Sequence, residues 1–187
     1  MSDVYMFDEE KTVKQVLNGN VKVFESIVQQ YEKLVFSILN RLMDDRQDIE
    51  DTGQEVFLKV YNGLSGFKGE SKLSTWIGRI AWHTGINYLK KKKRAQYDSL
   101  SELPADFHFT EDDPQAKLLH KELNVYINAL VDELPLQYKT VVSLYHYNDL
   151  SYKEIEAITG YPEGTVKGYL FRARKLLKEK LEQYGSR

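Results

Sequence analysis

From Phe24 to Leu42 the apolar residues Phe24, Ile27, Val28, Tyr31, Leu34, Val35, Ile38 and Leu42 recur at steps of three and four. That spacing gathers them on one face of a helix and is incompatible with a pleated strand. After "DD" a second helix is expected, with Ile49, Val56, Phe57, Val60, Tyr61 and Leu64 on one broad face. The Gly-rich stretch "GLSGFKGESK" then leads to a third helix, capped by Ser74 and running through "TWIGRIAWHTGINYLKKKK". Val13, Val16 and Leu17 suit a short leading helix, and "LLHKELNVYINALVDEL" and "QYKTVVSLYHYN" read as two further helices broken at Pro135. Nothing alternates with period two over a useful length, so the class is all-α.

The segment 95–115, "AQYDSLSELPADFHFTEDDPQ", contains Pro104 and Pro114, no cation and no sustained helical period. It reads as a flexible acidic linker between two small helical domains, 1–94 and 116–187. Charge follows the same division. The formal net charge is −2, yet residues 1–94 carry 15 Lys and Arg against 13 Asp and Glu, and residues 116–187 carry 11 against 9. The linker carries 6 acids and no base, and so masks two mildly basic units.

Other classes fall away. Without cysteine there is neither a disulfide framework nor a thiolate metal site, which suits a reducing, cytoplasmic location. The acidic start lacks a basic region followed by an apolar run, and no stretch approaches the length of a membrane span, so no membrane insertion is expected. His83, His108, His120 and His146 form no metal-binding pair, and there is neither a phosphate-binding loop nor a nucleophile elbow. An enzyme is not expected, and neither cofactor nor metal is implied.

The stretch "LSYKEIEAITGYPEGTVKGYLFRARKLL" has helix-start signals at coincident positions: Ser151 at an N-cap with Glu154 three residues on, and Leu150 and Ile155 placed as a staple. Gly160 fits the left-handed position past the helix end. A short helix, a turn containing Gly160 and Pro162, and a longer basic helix make either a helix-turn-helix or a helical hairpin within a bundle. The long helix favours the first. Val166, Leu170, Ala173 and Leu177 share one side, while Phe171 lies opposite among Lys167, Gly168, Lys175 and Lys178, flanked by Arg172 and Arg174. Cations suit phosphate there, and the ring suits a thymine methyl or a sugar edge.

Two faces in the first unit have no core to fill. Opposite Val56 and Val60 lie Asp48, Asp51, Gln54, Glu55, Leu58 and Asn62: either a solvated face with one tolerated leucine, or a docking surface for a basic helix centred on Leu58. In the third helix Arg79, His83, Asn87, Lys90 and Arg94 form a polar stripe that ends in "KKKKR" and suits DNA. Trp76 is assigned to the core; Trp82 either packs against another helix or stacks on an unpaired base.

Taken together these segments resemble the extracytoplasmic-function sigma factors, a group of the sigma-70 family of bacterial RNA polymerase factors. "DIEDTGQEVFLKVY" resembles region 2.2, "STWIGRIAWHTGINYLKKKKR" regions 2.3 to 2.4, and "LSYKEIEAITGYPEGTVKGYLFRARKLL" region 4.2, in the family's order. The resemblance implies an alternative sigma factor that binds core RNA polymerase, through the β′ coiled coil and the β subunit, and directs it to promoter DNA. Asp48, Asp51, Gln54, Glu55 and Leu58 would then meet polymerase. Lys72, Leu73 and Ser74, in the loop that captures a flipped base, would meet the −10 element with Arg79, His83, Asn87 and Lys90. Gly164, Thr165, Lys167, Gly168, Phe171, Arg172, Arg174 and Lys175 would meet the −35 element. An anti-sigma factor is a further implied partner, and the acidic linker would follow a cationic channel of the polymerase.

The chain departs from the family pattern at several places. His83 and Asn87 stand where Asn and Asp are usual, Lys90 where Arg is common, and Tyr169 where Arg is frequent; Glu156-Ala157 is reversed, which puts a carboxylate where two helices normally approach. Spanning sites one and a half DNA turns apart needs roughly 50–55 Å, and 21 linker residues reach at most about 70 Å. The alternative, a stand-alone helix-turn-helix regulator, leaves Asp51, Gln54, Glu55 and Leu58 without a task.

Overall fold

In the computed structural model, which describes residues 7–98 and 126–185, carboxylate acceptors set the starts of the helices that begin at Glu9, Arg46 and Leu73. Asp8 accepts from the Lys11 N–H at 3.0 Å and opens α1 (Glu9–Leu17), whose Thr12, Val13 and Val16 turn inward. A single 3-10 turn, Val21–Val23, leads into α2 (Phe24–Leu42). Asp45 caps α3 (Arg46–Gly63) by accepting from the Asp48 N–H at 3.0 Å. The expected Ser74 cap is not used. Helix α4 (Leu73–Asp98) begins two residues earlier than that cap would start it, and the Leu73 N–H donates to Glu9 Oε2 at 3.3 Å. A carboxylate from α1 thus satisfies an orphan donor and sits at the positive end of the α4 dipole. Its other oxygen accepts from the Tyr31 hydroxyl at 2.5 Å.

The second unit contains α5 (residues 126–132), α6 (Leu136–His146) entered through Pro135, α7 (Tyr152–Thr159) and α8 (Glu163–Gly185). At α7 both bonds of the capping box are present, and Gly160 ends the helix at φ 77°, a conformation that costs glycine little. Among the described residues there is no strand. Helix α4 continues to Asp98, so the first four residues of the segment 95–115 are helical. The remainder of that segment, with the channel path suggested for it, lies outside the described residues.

Helix α2 is the central element. Helices α1, α3 and α4 pack around it and bury Ile27, Val35, Leu39, Val56, Val60, Leu64 and Ile77. In the second unit Val141, Leu144, Ile155, Val166, Leu170 and Ala173 close a smaller interior. Each fully buried aliphatic side chain contributes about 1.5–3 kcal/mol. The two interiors are continuous: α6 lies on α2, and α7 lies on α4. The linker-like segment 95–115 leads one to expect two separate bodies, whereas the structure seats Ile158 of α7, fully buried, against Gly78 of α4. Glu156 is exposed and so does not separate helices.

Candidate nucleic-acid and protein interfaces

Along α3, Asp51, Gln54, Glu55 and Leu58 are exposed on one side, with Leu58 at 64%. Gln54 and Leu58 border an open apolar groove of about 550 Å³, lined also by Val21, Phe24, Phe36, Phe57 and Tyr61. Part of the apolar periodicity of α2 and α3 is therefore turned outward onto this groove. Sequence reading identified Leu58 and missed the groove, because no single helix shows that two apolar faces diverge at a shared edge. Asp51 accepts from the Gln47 amide at 3.0 Å, and Glu55 pairs with Lys59 at 2.6 Å. Asp48 is different. Hydrogen bonds from Lys92, at 2.6 Å, and from Tyr88 hold its carboxyl below the usual range and tie α3 to the basic end of α4.

On α4, Arg79, His83, Asn87 and Lys90 are all exposed. The first three line a hollow of about 400 Å³ with Lys59, Gly63, Trp76, Ile80 and Thr84. Lys59 reaches across from α3 and donates to Thr84 Oγ1 at 3.2 Å. This second cation and Trp76 join the stripe only through the α3–α4 packing, so nothing within α4 announces them. Trp76 is half-buried against Phe67 (ring centroids 5.3 Å), not fully in the core as expected. Trp82 packs: it is buried, edge-on to Tyr161 at 6.1 Å. One expectation fails. Leu73 is completely buried as the first residue of α4, so it offers no surface to a base. Ser74 is half-buried, and exposed Lys72 pairs with Glu154 Oε1 at 2.9 Å.

On α8, Gly164, Lys167, Phe171, Arg172, Arg174 and Lys175 are exposed, while Thr165 and Gly168 are half-buried. Phe171, 71% exposed, stands at the centre of that face. Two of the cations are braced by aromatic rings that the sequence reading did not single out. Lys167 lies over Tyr152 (5.4 Å) and pairs with Glu163 at 2.6 Å; Arg174 lies over Tyr145 (5.6 Å). The two tyrosines stack at 5.1 Å. Arg174 also donates to His146 Nε2 at 3.3 Å, and burial together with that guanidinium keeps the imidazole pKa below its ordinary value. Such bracing fixes cation positions and lowers the entropy lost on meeting phosphate. Tyr169 faces away, against Tyr138 (5.4 Å) and Tyr161 (5.5 Å).

Glu154 supplies a pH signature. The Ser151 hydroxyl, then Lys72 and the Ser151 N–H, outweigh burial and bring its pKa from 4.5 down to about 2. Because the folded-state value is depressed, the stabilisation is complete above pH 4.5 and fades as pH falls towards 2. Glu154→Gln keeps a capping-box residue but loses the ion pair with Lys72, and should cost about 0.2–1 kcal/mol near neutral pH. Thermal melts of the pair should converge as pH approaches 2; a constant gap would contradict this role.

Comparison with known proteins matches these segments in the same order. The sigma-70 region 2 family matches residues 27–95, and the sigma-70 region 4 family matches residues 124–177. The RNA polymerase sigma-H factor of Pseudomonas aeruginosa is 30% identical over 93% of this chain and 94% of its own length. The extracytoplasmic-function sigma-E factor of Haemophilus influenzae is 34% identical, over 93% and 95%; that of Escherichia coli K12 is 32% identical, over 91% and 92%. The fold is similar to that of the Bartonella quintana sigma factor RpoE, solved in complex with the anti-sigma factor NepR (TM-score 0.67, 21% identity, 86% of this chain and 98% of that one). It is also similar to that of CnrH, solved with the cytosolic domain of CnrY (TM-score 0.65, 17% identity, 92% and 96%). On its relatives and its two matched regions, the chain belongs to the extracytoplasmic-function group of the sigma-70 family of RNA polymerase sigma factors.

Proposed function

We propose that this chain is an alternative transcription initiation factor that binds core RNA polymerase and brings it to promoters by reading a −10 and a −35 element. The observation that carries the reading is the combination, in one chain matched over nearly its whole length, of an exposed Leu58 groove, an exposed polar stripe on α4 and an exposed Phe171 face on α8. Each is outward-facing surface that the fold does not need for its own core.

In this reading Asp51, Gln54, Glu55 and Leu58 dock on the polymerase β′ coiled coil, with the apolar groove as the contact centre and the acids steering a basic partner helix. Further contacts go to the β subunit. Arg79, His83, Asn87 and Lys90 read or hold the −10 element, joined by Lys59, while Lys72 and Ser74 serve a displaced base. Gly164, Lys167, Gly168, Phe171, Arg172 and Lys175 face the −35 element; Arg174, braced on Tyr145, suits a phosphate better than a base edge. Thr165 supports the turn into that helix. The domains run over 1–94 and 116–187. The reading assigns no catalytic step to the chain, places it in the cytoplasm with polymerase, and gives it an anti-sigma partner that covers the same surfaces. Among the described residues no helix is long and apolar enough to cross a membrane.

The test is reconstitution with core RNA polymerase and a library of randomised promoters. The expected result is a stable complex that initiates at a selected set of sequences sharing two spaced elements. DNA binding by the chain alone, without polymerase association or initiation, would instead establish a stand-alone regulator.

A further inference from the structure

The loop proposed to serve a displaced base, residues 67–72, has little to hold it along its own length. It joins the 3-10 turn Leu64–Gly66 to the start of α4, and Lys68, Gly69, Glu70, Ser71 and Lys72 are all exposed. Such a segment keeps one shape only if its two ends are fixed.

Both ends are. At the first, the Phe67 ring packs against Trp76, with centroids 5.3 Å apart. At the second, Leu73 is completely buried and its N–H donates to Glu9 Oε2 at 3.3 Å. The loop cannot supply this acceptor itself. The Lys72 carbonyl accepts from the Trp76 N–H at 3.1 Å, which places Lys72 at the helix cap, but its side chain carries no oxygen, and Ser74 already lies inside the helix. Glu9 is half-buried and held in turn. Its Oε1 accepts from the Tyr31 hydroxyl at 2.5 Å, the Tyr31 ring meets Phe7 edge-on at 5.9 Å, and Asp8 fixes the first turn of α1. Helix α1 also lies against the 3-10 turn from which the loop departs.

A base turned out of its stack is received best by a surface already shaped to it, because every loop torsion left free must be ordered on binding. We infer that Glu9 is a positioning residue for −10 recognition: by holding the Leu73 N–H it fixes the loop 67–72 in the shape that receives the displaced base. This rests on the proposed function. Glu9 touches no DNA in this arrangement, and it lies outside the matched region 2, which begins at residue 27. Helix α1 thereby takes part in promoter recognition through the loop it holds.

Run-off transcription with core polymerase on a series of promoters changed one base at a time in the −10 element tests this, with hydrogen exchange of residues 67–73 in the free chain as the physical check. Glu9→Ala should speed that exchange and cut the preference for the best over the worst base at the captured position about fivefold, the usual consequence of losing one helix cap. Polymerase affinity and the response to −35 changes should stay at wild-type values. Glu9→Gln retains an acceptor oxygen and should keep most of the preference. Tyr31→Phe releases the far oxygen of Glu9 and should give a smaller loss in the same direction, which keeps the test sound if Glu9→Ala disturbs folding. Wild-type preference in the folded variants, an equal loss on −10 and −35 series, or a Glu9→Gln protein as impaired as Glu9→Ala would each overturn the inference. Failure of the functional proposal looks different: the wild-type protein itself forms no complex with polymerase or shows no −10 preference.

Discussion

Leu58→Glu is expected to weaken binding to core RNA polymerase at least about thirtyfold, the equivalent of losing about 2 kcal/mol at an interface centre. Leu58 borders the groove formed by Phe24, Phe36, Phe57 and Tyr61, and 64% of it is exposed. A carboxylate there would have to be desolvated by any partner filling the groove, and it would enlarge an acidic surface around a site that needs apolar contact. The fold itself should hardly notice, because the side chain supports no core. Equilibrium binding to labelled polymerase, with a thermal melt alongside, measures both effects. Unchanged affinity in a folded protein would remove Leu58 from the docking surface.

Phe171→Ala is the second large effect. The ring is 71% exposed on a face of α8 otherwise made of glycine and cations, so truncation leaves no cavity, and alanine is the better helix former. Stability should therefore be unchanged or slightly higher. Recognition should suffer: losing one good contact to a base edge or thymine methyl costs about 1–3 kcal/mol, a drop of roughly 5- to 150-fold in initiation from promoters that depend on a −35 element. Promoters that depend mainly on the −10 element should lose little. Run-off transcription on the two promoter types checks this, and an equal loss on both would assign Phe171 to folding or assembly instead.

What could be read in the sequence, and what could not, follows from the range of the interactions. The helices over the described residues, the Ser151–Glu154 box, the left-handed Gly160 and the outward Phe171 are local, determined by spacing along one helix and its caps, and the structure reproduces them; the first part of the helix expected in "LLHKELNVYINALVDEL", up to residue 125, lies outside the described residues. The start of α4 was misread because its cap is Glu9, 64 residues away. Leu73 was misassigned for the same reason: a loop residue by pattern, it becomes the first buried residue of a helix once α1 supplies that cap. The groove beside Leu58, the entry of Lys59 into the α4 hollow and the bracing of Arg174 on Tyr145 and His146 each need two elements placed side by side. The Ile158 seat on Gly78 is the longest-range case. Hydrophobic periodicity reports that a residue is buried, not what buries it.

The account depends on one chain presenting two separate DNA-reading faces, and transcription from a matched grid of promoters tests this most directly. Holoenzymes carrying wild-type protein, Arg172→Ala or Asn87→Ala would be assayed on promoters altered singly in the −35 or the −10 element. The prediction is that Arg172→Ala loses its sensitivity to −35 changes while keeping its response to −10 changes, and that Asn87→Ala does the reverse. If both variants lower initiation uniformly across the grid, the two faces do not read sequence and the account is wrong.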